Sequence, residues 1–299
     1  MLHFPVLLEE SLDFLIHKKN GKYVDCTYGR GGHTQSILNR IDADAQLTSF
    51  DKDLDAFNHA SLIKNKNFNA IHNSFNKLEN TFDKETVDGI LYDLGTCSTH
   101  FDEGNRGFSF LHDGPLDMRF NVTKGVPLSA WLKKATQKEI MDILYKYGDE
   151  KHAKIISSSI LDHRSKNEIK STIQLANIIE DIYPEKRKKI HPATKSFQAF
   201  RIHINNELGE LKQSLEQASN ILVKNGIIVV ISFHSLEDNI VKEFFKPSVM
   251  NFPKDIPLNT IEEKDFKCIA KKIRPTEEEV ALNKRSRSAI MRVFKKYND

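Results

Sequence analysis

Three glycines and one acid carry the first recognisable chemistry in this chain. Gly29, Gly31 and Gly32 fall in Tyr28-Gly29-Arg30-Gly31-Gly32-His33, directly after the apolar-rich run Tyr23-Val24-Asp25-Cys26. Glycines at this spacing let backbone approach a ligand where a Cβ would collide. The next residues, Thr34 to about Arg40, read as a helix whose N-terminal N–H groups point at that ligand. A second run, Ala45 to Asp51, ends in an acid 20 residues beyond Gly31. In a strand-helix-strand unit such an acid receives a ribose hydroxyl. The pattern points to a nucleoside-bearing cofactor. Gly-x-Gly alone is shared by nicotinamide, flavin and adenosylmethionine enzymes. Here the third spaced glycine of the dinucleotide fingerprint is missing, which favours a cofactor with no pyrophosphate.

The elements needed to position these residues follow from periodicity. Residues 6–18 have apolar positions at helical spacing. A helix from Asp53 to about Lys64, a strand Phe68–His72 and a nearly all-apolar strand Val87–Gly95 come next. Strands alternating with helices predict a doubly wound parallel sheet whose ligands sit beyond the C-terminal strand ends. Gly29, Asp51, Phe75 and Asp93 all fall there. Residues 96–128 are punctuated by glycine and proline and read as loop. From Ser129, a candidate helix cap, to about Tyr183 the chain reads as consecutive helices. A long helix from Phe197 to Val223, ended by Asn225-Gly226, leads back to a buried strand, Ile227–Ser232. A helix Leu236–Phe245 and a loop 247–265 follow. Lys267–Ile273 and Ser288–Lys295 then read as a closing antiparallel pair around a short Glu277–Leu282 helix. This divides the chain into a cofactor-binding domain of residues 1–103 and 203–299, split by an inserted helical domain of residues 104–202.

Charge separates the two parts. Residues 104–202 hold 18 Lys and Arg against 11 Asp and Glu, whereas the remainder holds 26 against 30. A basic insert on an acidic body suits a polyanionic partner. No run of about 18 apolar residues exists, so no membrane span is expected. Three dispersed cysteines and an N-terminus without a signal pattern point to a reducing cytoplasm. The twelve histidines lack ligand spacing, so no metal is expected. Oligomeric state leaves no mark in the sequence.

Several stretches are far more specific than the glycine turn. They are Asp88-Gly89-Ile90-Leu91-Tyr92-Asp93-Leu94-Gly95, Arg106-Gly107-Phe108-Ser109-Phe110, Asp113-Gly114-Pro115-Leu116-Asp117-Met118-Arg119, His191-Pro192-Ala193-Thr194 and Ser232-Phe233-His234-Ser235-Leu236-Glu237-Asp238. With the glycine turn and Arg285-Ser286-Arg287-Ser288, they make the chain resemble, over almost its full length, the bacterial 16S rRNA (cytosine-N4)-methyltransferase family. The resemblance implies a Rossmann-like class I methyltransferase with an inserted all-helical, RNA-recognising domain. It implies S-adenosyl-L-methionine as methyl donor, without a metal, and 16S rRNA of the small ribosomal subunit as partner.

For the site, the resemblance implies that Gly31, Gly32 and His33 line the adenosylmethionine pocket. Asp51 would hold the ribose, Phe75 would lie near the adenine, and Asp93 and His100 would complete the pocket. The family usually has glutamine where His100 stands. Asp93 and Ser98 are candidate acceptors for the hydrogens of the reacting amine. Asp117, Arg119, His191, Arg201 and His234 fall in the matching stretches and are candidates for substrate contact, Asp117–Arg119 being open to a structural ion pair. Cys97 admits a different chemistry, attack on C6 of a pyrimidine leading to C5 methylation. Lys186–Lys189, Arg285, Arg287 and Arg292 are candidate phosphate contacts.

Overall fold

In the computed structural model, the described residues are 5–183, 191–246 and 265–297. The chain begins with α1 (Leu8–Leu15), β1 (Lys22–Asp25), α2 (Gly32–Arg40), β2 (Gln46–Asp51), α3 (Leu54–Ala60), β3 (Phe68–His72) and β4 (Val87–Asp93). Next, among the described residues, come α4 (Ser98–Asp102), α5 (Leu128–Lys134), α6 (Gln137–Gly148), α7 (Ala153–Lys166), α8 (Thr172–Glu180) and α9 (Ala193–Ile204). Then come α10 (Glu207–Ile221), β5 (Leu222–Ser232), α11 (Ser235–Phe245), β6 (Phe266–Ile273), α12 (Glu277–Leu282) and β7 (Ile290–Lys296). Two compact units result, one of Met1–Gly95 with Leu208–Asp299 and one of Thr96–Glu207.

The first unit holds one seven-stranded sheet in the order β3-β2-β1-β4-β5-β7-β6. β1 to β5 pair in parallel, and β7 runs antiparallel to both β5 and β6. Such a sheet, with helices on both faces, is the Rossmann-like class I methyltransferase architecture. Alternation along the strands divides the core. Val24, Ile90, Tyr92, Ile228 and Val230 pack with Leu211, Leu215 and Ala218 of α10 and Val241 of α11. Tyr23, Leu91, Val229 and Ile231 pack with Leu12 and Leu15 of α1 and Ile37 of α2. Central strands buried on both faces read as continuous apolar runs, which makes β4 and β5 legible in the sequence.

The second unit closes its own core from α5 to α9, with Leu132, Ile140, Leu144, Ile156, Ile160, Ile179, Phe197 and Phe200 all buried. Reciprocal capping boxes, Thr136 with Glu139 and Ser171 with Gln174, start α6 and α8. Among the described residues, no helix is long and apolar enough to cross a membrane.

Four local expectations need correction. Ser129 lies inside α5, whose cap position is Pro127. The helix expected from Phe197 to Val223 is two helices, broken where Asn206 takes φ +48°. Asn225-Gly226 does not end a helix but sits in an irregularity of β5, between the pairs Val87↔Leu222 and Gly89↔Ile227. A Cβ on Gly226 would stand 2.6 Å from the Leu222 side chain, so the loop folds tightly on itself. The stretch read as loop from 96 also contains α4 and a 3-10 turn, Gly104–Arg106. The loop expected over 247–265 falls almost wholly outside the described residues.

Candidate active site

The glycine turn is built on a buried carboxylate. Asp25, the last residue of β1, has no solvent exposure. It accepts hydrogen bonds from Thr34 Oγ1 at 2.6 Å and from the Thr27 N–H at 3.0 Å. Burial pushes its carboxyl up to about 6, a rise that the bonds from Thr34 and Thr27 partly oppose. Asp25 thus fastens both sides of the turn, since Thr27 precedes the glycines and Thr34 follows them. Gly31 has φ +76°, and a Cβ there would lie 2.7 Å from the Tyr28 hydroxyl. That hydroxyl is held by His59 Nδ1 at 2.7 Å. The turn therefore has no room for a side chain at Gly31, where the Tyr28 ring packs against the backbone. Gly32 opens α2 against the Pro5 ring.

Asp51 ends β2 beside this turn. Its Oδ2 accepts from the Gly29 N–H and its Oδ1 from the Asp53 N–H, both at 2.8 Å. Two backbone donors fix the orientation of the carboxylate at the end of the strand. Asp53 in turn caps α3 through the Asp55 N–H. Phe75 follows β3 and stands edge-on to Tyr92, with ring centres 5.7 Å apart. Its carbonyl accepts from Ser214 Oγ at 2.9 Å. Both residues lie at the strand ends predicted for them.

Asp93 ends β4. Its N–H donates to Thr27 Oγ1 at 2.7 Å, which ties the β4 end to the turn after β1. Asp93 Oδ2 is 3.5 Å from His33 Nδ1, and His33 Nε2 is 3.1 Å from the Val6 carbonyl. A singly protonated imidazole can donate to only one of these oxygens, and a doubly protonated one donates to both. Two residues beyond the end of the neighbouring strand, β5, His234 caps α11. It shares a capping box with Glu237, whose Oε1 is 3.1 Å from His234 Nε2. Gly31, Gly32, His33, Asp51, Phe75, Asp93 and His234 thus all sit along one edge of one sheet.

The remaining candidates belong to the second unit. His100 of α4 is buried between the rings of Phe108 and Phe120, at 4.9 and 5.0 Å. Asp117 and Arg119 form a bidentate pair with two 2.7 Å bonds, and Arg119 also donates to the Lys124 and Gly125 carbonyls. Arg201 pairs bidentately with Glu207 at 2.9 and 3.0 Å. His191 accepts from the Ala193 N–H and packs on Phe110 at 4.5 Å. Thr99 Oγ1 donates to the Cys97 thiol at 3.4 Å. The Ser98 side chain and Lys186–Lys189 lie outside the described residues. In the first unit, Arg292 is not placed for phosphate: it grips Asp238 at 2.6 and 3.1 Å.

Sequence reading missed Asp25, Thr27 and Thr34 as the scaffold of the turn. The signal was present, because Asp25 is a lone acid closing an apolar strand. The contacts of Pro5 and Val6 with the turn left no signal at all, being long-range backbone and ring packing.

The model of the MraW methylase family matches residues 1–297. Ribosomal RNA small subunit methyltransferase H of Buchnera aphidicola subsp. Cinara cedri (strain Cc) is 45% identical over 304 residues, which cover 98% of this chain and 99% of the relative. The protein of the same name from Marinomonas sp. (strain MWYL1) is 42% identical over 306 residues, covering 99% and 98%. That from Nitrosomonas eutropha (strain DSM 101675 / C91 / Nm57) is 43% identical over 308 residues, covering 99% and 97%.

Proposed function

The chain belongs to the MraW methylase family and is a methyltransferase, and we propose that it methylates the exocyclic N4 of a cytosine in 16S rRNA, with S-adenosylmethionine as donor. The carrying observation is that full-length relatives named for small-subunit rRNA methylation match a chain whose strand-end edge bears Asp51, His33 and Asp93.

The residues present fit the donor. Gly31 takes a left-handed φ of +76° that suits glycine and packs against the Tyr28 ring, so the turn presents bare backbone there, and Asp51 is pre-oriented by two backbone N–H groups. Gly31, Gly32 and His33 would wall the donor, Asp51 would take its ribose, and Phe75 would lie near its adenine. Asp93 and His100 complete the set on the family resemblance. When bound, adenosylmethionine supplies an electrophilic sulfonium methyl. The cytosine amine is a poor nucleophile because its lone pair is delocalised into the ring. Asp93 accepts a hydrogen bond from the NH₂, which localises the lone pair and holds the amine for in-line approach. Ser98 is the second candidate acceptor. Asp117, Arg119, His191, Arg201 and His234 remain candidates for substrate contact, the first four in a unit whose excess of Lys and Arg suits RNA. The base must leave its stack to reach the site. The setting is the cytoplasm, where small subunits are found.

Calorimetric titration with adenosylmethionine and with NAD, followed by incubation with undermethylated small subunits and labelled donor, tests this function. Binding of the first ligand only, and label in the RNA, are expected. Binding of NAD alone would make the chain an oxidoreductase. Binding of subunits with no label transferred would make it an assembly factor without catalysis.

A further inference from the structure

Beyond the strand end that carries Asp93, the sheet continues into a basic turn. The pairs Asp93↔Ile231, Ile231↔Met291 and Met291↔Ile273 form one row across β4, β5, β7 and β6. Because β7 runs opposite to β5, its first residue, Ile290, lies beyond that row, opposite Ser232. The whole connection from β6 to β7 therefore leaves and re-enters the sheet at the edge bearing the candidate site. It contains Arg274, Lys284, Arg285 and Arg287, all exposed, the last three in one 3-10 turn, Lys284–Ser288. At ~4.8 Å per strand, β7 runs roughly 10 Å from β4 and β6 roughly 15 Å.

The turn is a fixed platform. Ser286 is fully buried and donates to the Asn283 carbonyl at 2.8 Å, and Asn283 Oδ1 accepts from the Arg285 N–H at 3.1 Å. The preceding helix, α12, is tied to the cofactor side: Glu279 Oε1 accepts from the Leu7 N–H at 3.0 Å, one residue from the Val6 carbonyl that meets His33. Charges on either side of the turn serve the fold itself. Lys267, Lys271 and Lys272 lie on β6, an edge strand, where lysine discourages pairing with another chain. Glu277 and Glu278 begin α12, where acids complement the helix dipole. Arg274 and the Lys284–Ser288 turn lie off the strands and outside α12, so neither edge protection nor a helix dipole accounts for their charge.

We infer that Arg274, Lys284, Arg285 and Arg287 form a docking surface for RNA backbone phosphates flanking the methylated cytosine, an inference that rests on the rRNA reading above. The argument is charge complementarity at the edge where the reacting base must arrive, with the guanidinium groups matched to phosphate geometry.

The test compares the double variant Lys284→Ala/Arg287→Ala with Lys64→Ala/Lys66→Ala, an equal charge loss just before β3, at the opposite edge of the sheet. Methyl transfer to undermethylated small subunits is followed over a range of salt, and adenosylmethionine affinity is measured by calorimetry. For Lys284→Ala/Arg287→Ala the expected result is a KM for subunits raised roughly tenfold, with the slope of log affinity against log salt reduced by roughly 1.4 to 1.8. Donor affinity and kcat at saturating subunits stay at the wild-type level. Equal KM shifts in the two double variants, or no shift in the first, would overturn the inference. An inactive wild type would overturn the rRNA reading instead.

Discussion

Asp25 offers a quantitative prediction, because its environment is fully specified. It is an acid with no solvent exposure, and burial raises its pKa from the ordinary 3.8 to about 6. The native state therefore binds a proton that the unfolded chain has already released between these values. The contribution of this carboxyl to stability is full below about 3.8 and is lost as pH rises through 6. A rise of this size is worth about 3 kcal/mol. Asp25→Asn keeps the shape and removes the titration. Its Oδ1 can accept from Thr27, and its amide can donate to Thr34 Oγ1, which then turns its proton to Ser49 Oγ at 2.7 Å. The variant should match wild type near pH 4 and be more stable by about 3 kcal/mol at pH 8. The only tryptophan, Trp131, is in α5 of the other unit, so fluorescence would watch the wrong core. Hydrogen exchange of peptides covering Lys22–Asp25, corrected for intrinsic rates, reads the relevant opening. A difference between variant and wild type that is constant from pH 4 to 8 would refute the reasoning.

Three further outcomes are expected. Gly31→Ala forces a side chain into a φ of +76° and against the Tyr28 hydroxyl at 2.7 Å, so stability should fall by about 1–3 kcal/mol, read by the same exchange measurement. Its donor affinity should drop at least about tenfold by calorimetry, as the Tyr28–His59 bond is displaced. Asp93→Asn should lower kcat about 10²-fold or more while donor affinity moves by less than about threefold, and equal losses would remove Asp93 from the chemistry. Cys97→Ser should retain methyl transfer in the same assay, since N4 chemistry needs no thiol adduct, and an inactive variant would favour attack at pyrimidine C6 instead.

Legibility in the sequence followed locality. β3 and α12 were read to the residue, each bounded by its own capping or turn residues. The α9–α10 break was not, because its cause is distant: Asn205 accepts from the Phe120 N–H and donates to the Met118 carbonyl, over 80 residues away in sequence. Asp51 was legible because strand length and turn spacing alone bring an acid to a strand end. The raised Asp25 carboxyl was not, since it depends on complete burial by neighbours contributed from several strands and helices. Arg292 was misread for the same reason, as its partner Asp238 lies on α11 and no local pattern pairs them. Arg285 and Arg287 stand out in the sequence as candidate phosphate contacts, but sheet register was needed to place their turn at the site edge.

The most direct test of the central claim is the position of the transferred methyl. Undermethylated small subunits would be incubated with the protein and isotopically labelled adenosylmethionine, and the rRNA digested to nucleosides for mass spectrometry. The account predicts label on the exocyclic N4 of a cytosine in 16S rRNA. Label on cytosine C5, on a ribose 2′-oxygen or on any other base would contradict it.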